Sequence, residues 1–108
     1  MEFQEPTAAN NYTWYRKYAD GWVEIGGNID DGTSHVRKTI SLPVEMANSI
    51  YNIDGRCVNN TSIETGNDVQ PRFAERTTTS FSYQIVVING NTSSNRYVFT
   101  WRVSGMAA

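Results

Sequence analysis

The chain has 108 residues, 39% of them hydrophobic and 19% charged, with Asn, Ser, Thr and Gly prominent in the balance. That length fits one domain with a modest core, and the composition suits short strands joined by polar loops. A formal net charge of −2 and a pI near 5.2 argue against nucleic acid or an anionic membrane as partner, because both recruit clustered Lys and Arg, and Arg16-Lys17 and Arg37-Lys38 are only dipeptides.

Residues 1–10 are polar, contain Pro6 and show no periodicity, so they read as a linker, with the domain running over residues 11–108. They do not combine basic flanks with an apolar stretch, and no apolar run approaches the ~20 residues that span a bilayer, so neither export by a signal nor membrane insertion is expected. Residues 14–27, Trp-Tyr-Arg-Lys-Tyr-Ala-Asp-Gly-Trp-Val-Glu-Ile-Gly-Gly, spell a β-hairpin. Asp20-Gly21 is a pair favoured by two-residue type I′ turns, whose central positions both need positive φ. With that loop, Ala19 faces Trp22, Tyr18 faces Val23, Lys17 faces Glu24 and Arg16 faces Ile25. Trp14, Tyr18, Val23 and Ile25 then share the core face. Tyr15 and Trp22 stand outside beside the Lys17 and Glu24 pair, as large aromatics awaiting a second layer, a subunit or a ligand.

Further strand-length runs follow at roughly ten-residue intervals, the spacing of a sandwich or barrel. The full set of predicted strands is 12–19, 22–27, 35–42, 50–57, 70–77, 80–88 and 96–104. Residues 44–48, after Pro43, are too few for a stable helix. Cys57, the single cysteine, permits no internal disulfide or zinc cluster and reads as a small buried hydrophobe. The run Ile85-Val86-Val87-Ile88 implies burial on both faces, as in a central strand or one under a subunit interface. Residues 89–95, Asn-Gly-Asn-Thr-Ser-Ser-Asn, form a long exposed loop rich in amide and hydroxyl groups. The last strand alternates most cleanly, with Tyr97, Phe99, Trp101 and Val103 on one face and Val98, Thr100 and Arg102 on the other.

The hairpin, together with Leu42-Pro43-Val44-Glu45-Met46-Ala47-Asn48, Thr77-Thr78-Thr79-Ser80-Phe81, Phe99-Thr100-Trp101 and Gly105, resembles the C-terminal domain at the tip of phage and prophage tail fibre proteins. The resemblance runs from about Asn11 to the end of the chain. It implies an all-β antiparallel sandwich of about six to seven strands, similar in architecture to H-type lectins. It also implies a homotrimer attached to the remainder of a fibre shaft, of which residues 1–10 would be the remnant. The implied function is recognition of a bacterial surface glycan or lipopolysaccharide, by a virion component made in the host bacterial cytoplasm.

Glycan recognition sets an aromatic ring against the apolar face of a sugar and directs planar polar groups at its hydroxyls. On that chemistry the candidate ligand-binding residues are Tyr15, Trp22, Asn95, Arg96, Tyr97, Trp101 and Arg102. Core or trimer packing is the competing reading for each aromatic, foremost for Phe99 and Trp101, and a solvated or interface position is the one for Arg102. His35, the only histidine, has no neighbouring His or Cys in sequence with which to hold a metal and no specified nucleophile to serve as a base. No metal or cofactor is expected. Asp30, Asp31 and Asp54 fall in predicted turns, where Asp caps local backbone, and neither a phosphate loop nor a nucleophile elbow is present. Catalysis is therefore not expected. A structural trimerisation cap and a small polysaccharide depolymerase are the alternatives.

Overall fold

The computed structural model describes residues 2–10, 12–31, 36–59, 68–89 and 97–108. Eight strands form there: β1 Glu2–Gln4, β2 Trp14–Lys17, β3 Trp22–Asp31, β4 Lys38–Ser41, β5 Asn52–Asn59, β6 Asp68–Ala74, β7 Ser80–Asn89 and β8 Tyr97–Met106. They make two antiparallel sheets, one of five strands in the order β1-β2-β3-β8-β5 and one of three in the order β4-β7-β6. The expected all-β sandwich is therefore present. It includes a strand the sequence did not announce, because β1 lies in the stretch read as aperiodic and pairs with β2 through Phe3 opposite Arg16.

The inner faces meet through β8 and β7. Phe99, Trp101 and Val103 of β8 are buried together with Phe81, Tyr83 and Ile85 of β7, Val23 and Ile25 of β3 and Ile40 of β4. Aromatic pairs tie one sheet to the other: Tyr83 stacks on Phe99 at 4.1 Å, and Phe81 meets Trp101 edge-on at 5.5 Å. Such pairs add directional preference to apolar burial. The alternation read along the last strand holds for Phe99, Trp101 and Val103. The apolar run in β7 fits its place as the central strand of its sheet. Cys57 is partly buried against the core.

A polar tie joins the layers at one end. The buried Tyr51 hydroxyl lies 2.8 Å from the carbonyls of both Thr77 and Ser80, and Arg76 Nη1 donates to the Tyr51 carbonyl at 2.7 Å. Burial pushes the Tyr51 hydroxyl pKa above its ordinary value, against the opposing influences of Arg76 and the hydrogen bond at Thr77. Residues 44–48 form no helix. Met46 is buried, bridges to Ala107, and donates its N–H to the Thr78 carbonyl at 2.7 Å. Pro71 sits within β6, an edge strand, where its missing N–H is tolerated.

The first hairpin departs from its expected register. Tyr15 pairs with Ile25, Arg16 with Glu24 and Lys17 with Val23, one residue away from the reading above. The loop has three residues rather than two. The Tyr18 N–H donates to the Trp22 carbonyl at 2.8 Å and the Gly21 N–H to the Tyr18 carbonyl at 3.0 Å, while Asp20 Oδ1 accepts from the Trp22 N–H at 3.0 Å. Only Gly21 takes positive φ, at 95°, the pattern of a turn closed by a bulge. A slip of one residue moves a strand's side chains to opposite faces. Tyr15 accordingly packs against the core, and Trp14, expected inside, lies outside.

Candidate functional site

The outer face of the five-stranded sheet carries two adjacent rows of residues in register. One runs Phe3, Arg16, Glu24, Ser104 and Asn52, and the next runs Trp14, Gly26, Arg102 and Asp54. Trp14 lies on Gly26 so closely that a Cβ built there would come within 2.6 Å of the indole nitrogen. Glycine therefore lets the ring rest on the backbone of β3. The Arg102 guanidinium carbon is 5.4 Å from the indole centroid, and that of Arg16 is 5.9 Å from it and 5.8 Å from the Phe3 ring. All three distances fall within cation–π range.

Phe3, Pro6, Trp14, Arg16 and Arg102 line an open depression of about 270 Å³. Its floor is apolar and its rim is cationic. The entry of the chain is fixed by side chains: Gln4 Nε2 donates to the Thr13 carbonyl at 3.0 Å, and Asn10 Oδ1 accepts from the N–H groups of Thr7 at 2.9 Å and Thr13 at 3.0 Å. These bonds hold Phe3 and Pro6 beside Trp14. Glu24, in the neighbouring row, accepts from the Tyr18 hydroxyl at 3.0 Å.

The seven residues singled out from the sequence do not gather at one place. Arg102 belongs to the platform. Trp22 is exposed at the hairpin end, across from the exposed Met106, and lies outside the depression. Trp101 is 2% exposed and belongs to the core, and Tyr15 faces inward through the register shift, so neither presents a ring to solvent on the outer face. Tyr97 pairs with Asp31 and Asn59 at the far end of β8. Asn95, Arg96, His35 and most of the loop 89–95 lie outside the described residues. Phe3, Pro6, Trp14 and Arg16 were not anticipated as site residues. The available signal was the Gly26-Gly27 pair, which marks where a large ring can approach a strand backbone.

A second depression, of about 550 Å³, opens where the flank of β5 meets β6, lined by Ser49, Ile50, Ile53, Phe73, Ala74, Glu75 and Arg76. Ile50 at its edge is 80% exposed.

No protein-family profile matches the sequence, and no curated protein matches it significantly. Two solved structures share the fold. One is an N-truncated R2-type pyocin tail fibre, with TM-score 0.60 and 18% identity over 86% of this chain and 34% of the other. The second is a C-terminal portion of the P. aeruginosa R2 pyocin fibre, with the same TM-score of 0.60 and 18% identity, over 86% of this chain and 23% of the other. The chain thus spans about a third or less of the length of these fibres and shares the fold of one of their regions.

Proposed function

We propose that this domain is a non-catalytic module of a phage-type tail fibre that binds a bacterial surface glycan as a homotrimer, carried on the virion after synthesis in the host cytoplasm. The observation that carries the reading is the outward-facing depression floored by Trp14 and rimmed by Arg16 and Arg102, on a fold shared with pyocin tail fibres. An apolar ring beside fixed hydrogen-bond donors is what a sugar requires. Single sites of this open kind bind weakly, and a threefold assembly multiplies them by raising the effective concentration of the second and third contacts. The exposed Ile50 and its apolar neighbours Ile53 and Phe73 support association through the β5–β6 flank, since exposed apolar patches mark contact surfaces.

The test is a bacterial glycan array probed with the purified chain, paired with light scattering. Binding to a subset of surface polysaccharides, lost in Trp14→Ala, together with a mass three times the 12.2 kDa of the chain, is the expected result. A trimer that binds no glycan and no bacterial cell makes the domain a structural cap. Release of reducing ends from a bound polysaccharide makes it a depolymerase, and a mass near 12.2 kDa at high concentration removes the trimer.

A further inference from the structure

The two arginines at the rim of the Trp14 depression are held by rings rather than by acids. Arg102 of β8 is the register partner of Asp54 in β5, and Arg16 of β2 is that of Glu24 in β3. Each of those acids is positioned to form an ion pair, yet both guanidinium groups sit against the Trp14 indole, at 5.4 and 5.9 Å from its centroid. Among the described residues neither group donates a hydrogen bond or enters an ion pair. Arg37, by contrast, is paired with Glu75 on the other sheet. Proximity to a ring engages none of the N–H groups of a guanidinium in a hydrogen bond to an acid, which leaves them for an oxyanion. Two such groups around one ring place five donors each at the rim of a depression whose floor offers only the Trp14 indole N–H. They do so on a chain of formal charge −2, so a cationic rim is not a general property of the chain.

Resting on the glycan reading above, we infer that the depression selects an anionic sugar residue, whose carboxylate or phosphate is bridged by Arg16 and Arg102 while its ring carbons lie against Phe3, Pro6 and Trp14. Neutral sugars supply the apolar contact and uncharged hydroxyl acceptors, but no negative charge for the two forks. Uronate-type and phosphorylated sugars supply both. Trp14 is the residue that orients the pair, so its loss removes ring contact and donor placement together.

Nitrogen-detected NMR titration of the full chain with D-glucuronate, D-glucose 6-phosphate and D-glucose tests this directly, following the Arg Nε–H and Trp Nε1–H signals. Both anionic sugars are expected to shift the Arg16, Arg102 and Trp14 signals, and D-glucose is expected to leave them unmoved at the same concentration. The stronger of the two anions identifies whether carboxylate or phosphate is preferred. Arg16→Gln and Arg102→Gln each weaken the response by about tenfold, the scale of one charge-assisted hydrogen-bonded contact. Arg72→Gln, on the other sheet, leaves it unchanged, and added salt weakens it in the unmodified chain. Equal response to glucose and glucuronate, or full response in the double Gln variant, overturns the inference. Array binding confined to neutral glycans overturns it while the glycan reading survives. Anion-dependent shifts with no array binding leave the anion site intact and remove the glycan reading.

Discussion

Gly26 and Gly27 are neighbours in β3, and each carries a tryptophan on its own side of the sheet. On the inner face Trp101 rests on Gly27, where an added Cβ would come within 2.8 Å of the indole nitrogen. On the outer face Trp14 rests on Gly26, where the corresponding approach is 2.6 Å. The local device is the same and the surroundings are opposite. Trp101 meets the edge of Phe81 and is shut from solvent, whereas Trp14 meets two guanidinium groups and borders water. Similar backbone contacts thus serve a closed core on one side and an open, arginine-flanked ring on the other, and the neighbours, not the tryptophan, decide which.

The largest effect that bears on this contrast is expected from Trp101→Ala. Removing a buried indole leaves a cavity and costs about 3–5 kcal/mol, measured by urea unfolding. The buried Nε1 of Trp101 has no hydrogen-bond partner among the described residues, so the loss is one of packing. A cost below about 1 kcal/mol, the size of an ordinary substitution, would show that Trp101 does not organise the core.

The paired changes Gly27→Ala and Gly26→Ala separate the two faces by stability. At Gly27 the new methyl collides with a ring that cannot retreat, and overpacking of that kind costs about 1–3 kcal/mol. At Gly26 the ring can swing into solvent, so stability falls by no more than about 0.5 kcal/mol, the usual range for a surface change. Array binding is lost at the same time, because Trp14 leaves its seat. Equal stability losses at the two positions would break the distinction drawn between the faces.

The smallest effect lies in the pH dependence. Tyr51 has its hydroxyl pKa raised above 10.0 by burial, so above that pH the unfolded chain releases a proton that the folded chain retains. Fewer protons bound in the unfolded state mean that stability falls as pH rises. The loss is absent below pH 10, grows above it and levels off once the folded hydroxyl also ionises. Urea midpoints across this range follow that slope in the native chain, and Tyr51→Phe removes this contribution to it. An unchanged slope in the variant would dissociate Tyr51 from the alkaline limb.

The legible and illegible parts of this fold differ by how much each strand says on its own. In β8, Phe99, Trp101 and Val103 at alternate positions leave one choice of inner face, and the structure follows it. In β2, Trp14 and Arg16 alternate with Tyr15 and Lys17, an aromatic and a cation on each side, so composition could not choose between them. The choice fell to the turn. Asp20-Gly21 correctly marked a reversal, but with Gly21 alone at positive φ the loop took in Ala19, and every side chain of β2 exchanged faces relative to expectation. That single residue of slip is why Trp14 and Arg16 were not foreseen at the surface and Tyr15 was. The strand β1 was hidden for another reason: three residues held at an edge by backbone pairing carry no pattern of their own. Phe3 and Pro6 were hidden with it.

Pro71 bears on how this domain can join others. Its nitrogen has no hydrogen, and β6 is the outermost strand of its sheet, so a foreign strand laid along that edge would meet a gap in the ladder near its midpoint. The small sheet is thereby protected against continuing into a neighbour along β6. Copies of this domain can be brought together there by the fit of side chains, and not by an open-ended growth of backbone pairing.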